Sequence, residues 1–168
     1  MNITLEQLLK SRDARAENQS RLMQQYKDKV LLCLTVVMPG KEKRNKNSLI
    51  VAQAAIKAID TTFDKRIVYK EEKDLETGFE AYYILQGEAL GIKKEVCLIE
   101  QKHLLGRLFD IDVISKDGVP IARQEVGFAP RKCLICDKES RFCMRNFSHS
   151  QEELQAKISQ LIEAFTKQ

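Results

Sequence analysis

Glycine is scarce, at 7 of 168 residues. That leaves little room for a phosphate-cradling P-loop or a Rossmann glycine turn, and neither pattern occurs. No apolar run approaches the roughly 20 residues that span a bilayer. The opening Met1-Asn2-Ile3-Thr4-Leu5-Glu6-Gln7 has neither the basic nor the apolar part of a signal peptide. The two histidines, His103 and His149, have no serine or cysteine nucleophile in a recognisable elbow nearby, so a hydrolase triad has no support. A dense basic stripe is missing too. The formal net charge is +4, spread along the chain apart from a run at 41–46. That balance suits an anionic ligand or an acidic protein partner and argues against nucleic acid. The cysteines number 5, an odd count that cannot complete a disulfide framework. With no export signal, they point to reduced thiols in a cytoplasm.

What is present is an ordinary globular composition, with 43% hydrophobic and 31% charged residues. The length fits one domain over 1–168, with no repeat or linker to divide it. Residues 4–27 read as a helix, opened by a capping-box spacing from Thr4 to Gln7. The β-branched run 30–37 reads as a buried strand stopped by Met38-Pro39-Gly40. A helix is expected over 49–63, capped by Asn47 or Ser48. Strands are expected at 66–70 and 79–85 with an exposed turn at 71–78 between them. A single helical turn at 89–94 and a strand at 95–101 then follow. Ser150 and Glu153 form a second capping box ahead of a terminal helix with Leu154, Ile158, Leu161, Ile162 and Phe165 on one side. The sum is an α+β chain with a mixed sheet of five to six strands, flanking helices and a C-terminal Cys-rich loop and helix.

The stretch with most chemistry is Gly106-Arg107-Leu108-Phe109-Asp110-Ile111-Asp112-Val113. Phe109, Ile111 and Val113 alternate with Asp110 and Asp112, as on a strand with one apolar face. The two carboxylates then share a face, with Cα atoms roughly 7 Å apart. Like charges so placed repel, and a divalent cation between them removes that cost. The alternative is an acidic solvent face. Asp117-Gly118 is a hairpin signal, and Pro120 confines the returning strand to about 121–126. Glu125 on that return and Glu100 on the preceding predicted strand are the candidates for a third metal carboxylate.

Cys133 and Cys136 stand in Cys-x-x-Cys spacing, with Cys143 and His149 following. Three thiolates and an imidazole complete a closed zinc set, although the second arm is longer than common finger spacing. Buried or idle thiols are the alternative. Arg131, Lys132, Arg141 and Arg145 make this corner positive.

These motifs occur together: Leu9-Lys10-Ser11-Arg12-Asp13 with Arg15, the 36–40 turn, and His103-Leu104-Leu105 leading into the aspartate stretch. Pro130-Arg131-Lys132-Cys133-Leu134-Ile135-Cys136, Cys143-Met144-Arg145 and His149 complete the series. In this order the chain resembles the citrate lyase holo-acyl-carrier-protein synthases, also called apo-citrate lyase phosphoribosyl-dephospho-coenzyme A transferases. The resemblance implies a nucleotidyltransferase-like fold. It also implies transfer of a prosthetic group from triphosphoribosyl-dephospho-coenzyme A to a serine of the acyl carrier subunit of citrate lyase, with diphosphate released. On it, Asp110 and Asp112 would hold Mg²⁺, and beside them the hairpin's Glu125, with Glu100 as the other choice, is the candidate for a further catalytic carboxylate, while Gly106, Arg107, Arg12 and Arg131 are the candidates for meeting substrate phosphates. The wider superfamily usually has Gly-Ser or Gly-Gly where this chain has Gly106-Arg107. Two alternatives stay open: the same chemistry on the carrier subunit of malonate decarboxylase, and a non-catalytic zinc-binding interaction module.

Overall fold

The first helix, α1 (Leu5–Gln25), begins where its capping box forms. The Thr4 hydroxyl accepts from the Gln7 N–H, and the Gln7 side chain accepts from the Thr4 N–H. The computed structural model describes residues 2–168. After α1, the apolar run becomes β1 (Val30–Val36), whose first five residues are buried. Its lack of polar alternation suits a strand covered on both faces, and it lies inside the sheet. The strands β2 (Ile67–Leu75), β3 (Gly78–Leu85) and β4 (Phe109–Ile114) complete that sheet in the order β2-β3-β1-β4.

The sheet corrects the expected topology. Among the described residues it has four strands, all antiparallel, rather than a mixed set of five to six. One predicted strand is helical: residues 89–102 form the continuous α3 (Ala89–Lys102), with Ile92, Val96 and Cys97 buried along one side. A short apolar run reads equally as strand or helix until its contacts are known, and here the helical spacing matches the core. The other, at 121–126, curls into a 3₁₀ turn over Arg123–Val126. Pro120 has no N–H to donate, and among the described residues pairing on that side of β4 stops at one Ile114–Pro120 bridge, flanked by N–H bonds from Ser115 to Val119 and from Ile121 to Val113.

The expected turn at 71–78 is mostly strand, and β2 continues to Leu75. Its charges do not break it, because they pair. Lys73 meets Glu71, Lys70 meets Glu72 and Asp60, and Arg44 meets Asp74. Charged side chains along an edge strand also discourage pairing with other chains. The helix α2 (Lys46–Phe63) starts earlier than expected. Asn45 is its cap and Ser48 closes the capping box, rather than serving as the cap itself.

The two sheet faces differ. Leu32, Leu34, Ala81, Tyr83, Leu85, Ile111 and Val113 join the larger core. Residues of α2, α3 and α5 (Gln151–Thr166) complete it, among them Val51, Ile59, Val96, Ile158 and Ile162. On the other face Leu31, Cys33, Tyr82, Ile84 and Ile114 pack under Leu22 of α1. This second face is the one that carries the aspartates. Among the described residues, no helix is long and apolar enough to cross a membrane.

Candidate functional site

The segment leading into β4 is held unusually close to α3. Gly106 begins a 3₁₀ turn (Gly106–Leu108), and a Cβ there would lie 2.2 Å from the backbone oxygen of Glu100. Only a glycine permits that approach. The Arg131 guanidinium then ties down the turn, donating to the carbonyls of Gly106 (3.1 Å), Arg107 (2.9 Å) and Phe109 (2.7 Å). Asp110 and Asp112 follow directly.

Register places Asp110 opposite Thr35 and Asp112 opposite Cys33, so both carboxylates lie on the α1 side of the sheet. The Thr35 hydroxyl donates to Asp110 Oδ2 at 3.1 Å. Neither aspartate forms an ion pair among the described residues. Burial, then the charge of Asp110, push the Asp112 carboxyl above its usual range, while Lys93, Arg15 and Arg131 draw it back. Two same-face carboxylates with an under-compensated charge fit a divalent cation.

The aspartates open onto a cleft of about 540 Å³ whose lining includes Lys93, Glu100, Arg107, Arg131 and Arg141. Glu100 and Lys93 are both buried and stand seven positions apart on α3, which brings them to one side of the helix. Glu100 binds two guanidiniums, Arg123 at 3.0 Å and Arg131 at 3.3 Å. Even so, burial pushes its carboxyl up against the opposing pull of Arg131, Lys93 and Arg123. Arg107 donates through Nε to the Lys132 carbonyl (2.6 Å) and through Nη2 to Ser140 Oγ (3.1 Å). Burial, with the charge of Arg131, lowers its guanidinium to about 10, which leaves it cationic at neutral pH.

The structure therefore brings Gly106, Arg107, Asp110, Asp112, Glu100 and Arg131 together. Two sequence candidates lie elsewhere. Glu125 is exposed, its carboxylate accepts from the Ala122 N–H at 2.6 Å, and it does not line the cleft. With no returning strand at 121–126, nothing turns it toward β4. Arg12 is exposed on α1 and also absent from the lining. Three residues further along α1, Arg15 reaches Glu80 of β3 at 3.0 Å and acts electrostatically on Asp112.

Sequence reasoning passed over Lys93 and Glu80, and it named Arg15 only within a motif, with no role at the site. Glu80 is buried, sits opposite Thr35 and also accepts from the Tyr82 hydroxyl. The signal for it was the period-2 alternation Glu80-Ala81-Tyr82 on β3. Lys93 would have emerged had 89–102 been taken as a single helix.

Cys133, Cys136, Cys143 and His149 form a second constellation. One ligand atom from each lies within 4.8 Å of the others, so the set could hold a metal ion. Cys136 and Cys143 are thiols with sulfurs 3.4 Å apart, and Cys133 Sγ accepts the Ile135 N–H. Burial opposes ionisation of Cys133, yet backbone donors from Ile135 and Cys136 bring it down to about 7. His149 Nε2 is buried without a hydrogen-bond partner. The remaining two thiols are core residues, Cys97 fully enclosed and Cys33 pushed up to about 12 by burial.

Residues 3–165 match the protein family described as apo-citrate lyase phosphoribosyl-dephospho-CoA transferase. A probable apo-citrate lyase phosphoribosyl-dephospho-CoA transferase of Streptococcus pyogenes is 36% identical over 167 residues, covering 97% of this chain and 87% of that protein. A protein of the same description from Vibrio cholerae is 35% identical over 165 residues, covering 96% of this chain and 92% of its own length.

Proposed function

The chain belongs to the apo-citrate lyase phosphoribosyl-dephospho-CoA transferase family, and on that premise we propose that it modifies the acyl carrier subunit of citrate lyase. The group transferred is phosphoribosyl-dephospho-coenzyme A. Its donor is the triphosphoribosyl form, its acceptor a carrier serine, and its by-product diphosphate. The observation that carries this reading is the family match across residues 3–165. The chain acts as one nucleotidyltransferase-like domain over 1–168 in a cytoplasm, with no nucleic-acid or membrane partner.

In this reading Asp110 and Asp112 would hold Mg²⁺, which when bound would supply charge neutralisation for the triphosphate and for the departing diphosphate. The serine oxygen forms a bond to the phosphorus attached to the ribose 5″-oxygen. The phosphorus–oxygen bond to diphosphate breaks in line with it, and the serine proton passes to a cleft carboxylate. Arg107 and Lys93 present positive charge to the triphosphate. Arg131 serves mainly to hold the 106–109 backbone, since both its Nη atoms donate there. Glu100, fixed by two guanidiniums and lining the same cleft as the pair, serves as the third carboxylate in preference to Glu125. A hollow of about 910 Å³ bounded in part by Met23, Tyr26, Ile84 and Ile114 lies on the α1 face and has the volume for the donor's adenosine and pantetheine arms. Cys133, Cys136, Cys143 and His149 hold Zn²⁺ structurally.

Because the Asp112 carboxyl is raised, metal binding weakens as pH falls through a range above that of an ordinary aspartate. At limiting Mg²⁺ the transfer rate is expected to climb with pH across that range, and excess Mg²⁺ should restore the rate at its acid end. Rate–pH profiles at two Mg²⁺ concentrations check this, and superimposable profiles contradict it.

The acceptor is tested by mass spectrometry after incubation with the donor. The apo-carrier of citrate lyase should gain the prosthetic group on its serine much faster than the apo-carrier of malonate decarboxylase. The reverse order would reassign the partner, and no gain on either would remove the transferase reading.

A further inference from the structure

The cysteine–histidine segment is wired into the aspartate cleft, and it has almost nothing else to hold its shape. Among the described residues between Gly127 and Ile158, Cys143 alone is buried. Phe142, Met144 and Phe147 are 46%, 72% and 91% exposed, so no apolar core closes this segment. A stretch that cannot bury a core usually depends on a disulfide or a metal, and the cysteines here are thiols.

Local backbone bonds shape the segment for four ligands. The Cys133 N–H donates to the Lys138 carbonyl (2.7 Å) and the Ser140 N–H to the Arg131 carbonyl (2.8 Å), closing a clip around the Cys-x-x-Cys turn. Ser140 opens the short helix α4 (Ser140–Asn146), which carries Cys143. Phe147 then adopts a left-handed φ of 47°, an unusual conformation for a non-glycine residue, and the Ser148 N–H returns to the Cys143 carbonyl. That reversal brings His149 back to the three sulfurs. Its Nε2, buried and without a hydrogen-bond partner, is a polar atom for which a metal would provide the missing contact.

The same clip makes the bonds that reach the cleft. Arg107 donates to the Lys132 carbonyl and to Ser140 Oγ. Arg131 donates to the carbonyls of Gly106, Arg107 and Phe109, the residues just ahead of Asp110. Three thiolates and one zinc carry a net −1 charge, which the surrounding Arg131, Lys132, Lys138, Arg141 and Arg145 offset.

We propose that zinc bound by Cys133, Cys136, Cys143 and His149 sets the position of the Arg107 guanidinium and of the 106–109 turn at the aspartate cleft. The proposal rests on the zinc reading of the cluster and gives it a role in the transfer site. Arg131 is the positioning residue here and Arg107 the substrate-facing charge that the clip holds in place, and the geometry of both depends on the metal about as a metal ligand depends on its outer shell.

The test uses the full chain as purified. Elemental analysis should find about one zinc per chain. Cobalt exchanged into the site should show the visible bands of a tetrahedral thiolate complex. Cys136→Ser should lose the metal, speed hydrogen exchange at 106–112 about tenfold and raise the donor KM about tenfold, with kcat changed far less. Exchange in α2 should be unaffected, and Cys136→His, which supplies another zinc ligand, should restore all three. Should Cys136→Ser fail to fold, zinc extraction from the wild-type chain with an organomercurial replaces it. Folded protein with zinc far below one equivalent overturns the proposal. So does zinc loss that leaves exchange at 106–112 unchanged. Metal content and exchange need no turnover, so they decide the point even if the transfer reaction fails to appear.

Discussion

Asp110→Asn and Asp112→Asn are each expected to lower prosthetic-group transfer by about 10³-fold or more while leaving the chain folded. The amide keeps the shape and part of the hydrogen bonding but removes the charge that would hold a cation. Asp110 is exposed and its one side-chain bond comes from Thr35, a contact an amide oxygen can still accept. Asp112 carries a further signature. Burial and Asp110 raise its carboxyl, so at neutral pH its charged form is held at a cost to stability. The folded pKa exceeds the unfolded one, so any stability from the protonated form is present at low pH and lost as pH rises through the raised value. Asp112→Asn removes that cost, and its thermal midpoint at neutral pH should stay level or rise by a few degrees. A variant that loses activity and melts much lower would instead mark the aspartate as structural. Near wild-type transfer in either folded variant would remove that carboxylate from the metal site.

Gly106→Ala should be the most damaging single methyl group in the chain. The added Cβ would meet the Glu100 oxygen at 2.2 Å, the Glu100 carbonyl carbon at 2.7 Å and the Ile99 oxygen at 2.9 Å. All three are backbone atoms of α3, so no side chain can swing away. Either α3 shifts or the 106–108 turn does. The first displaces Glu100 and its two guanidiniums, and the second breaks the three carbonyl contacts of Arg131. The expected cost is about 3 kcal/mol, seen as a fall of about 10 °C in thermal midpoint. Gly118→Ala is a useful contrast, because no atom lies within 4 Å of its Cβ position. Its cost comes only from a positive φ of 77° and should be nearer 1 kcal/mol. Equal melting losses in the two variants would contradict the close-packing account.

Local rules made a large part of this fold legible. Thr4 with Gln7 and Ser150 with Glu153 identify two helix starts because a capping box is satisfied within four residues. The 30–37 run identifies the inner strand because only a two-sided burial tolerates so few polar residues. The alternation around Asp110 and Asp112 places both on one face, and the register bears out that placement.

What failed depended on distant partners. Residues 95–101 read as a strand because a short apolar run has no preferred period until α3 meets the core. Residues 71–75 read as a loop because their charges look solvated in one dimension, whereas same-face neighbours two positions apart on β2, with Arg44 from the loop before α2, pair them. For the cleft, the residue types were visible but their partners were not. Arg131 reads as a phosphate ligand in one dimension, whereas the fold also sets its guanidinium on the carbonyls of Gly106, Arg107 and Phe109. Glu125 and Glu100 were indistinguishable until the missing return strand left Glu125 on the Ala122 N–H. Lys93 stayed hidden behind the same misread helix.

The most direct measurement of the central claim is diphosphate release when the purified chain meets triphosphoribosyl-dephospho-coenzyme A, the apo acyl carrier subunit of citrate lyase and Mg²⁺. The account predicts one diphosphate for each carrier serine modified, with release stopping when either the carrier or Mg²⁺ is withheld. Diphosphate release that continues undiminished without the carrier, or carrier modification that proceeds at full rate after metal removal, would contradict it.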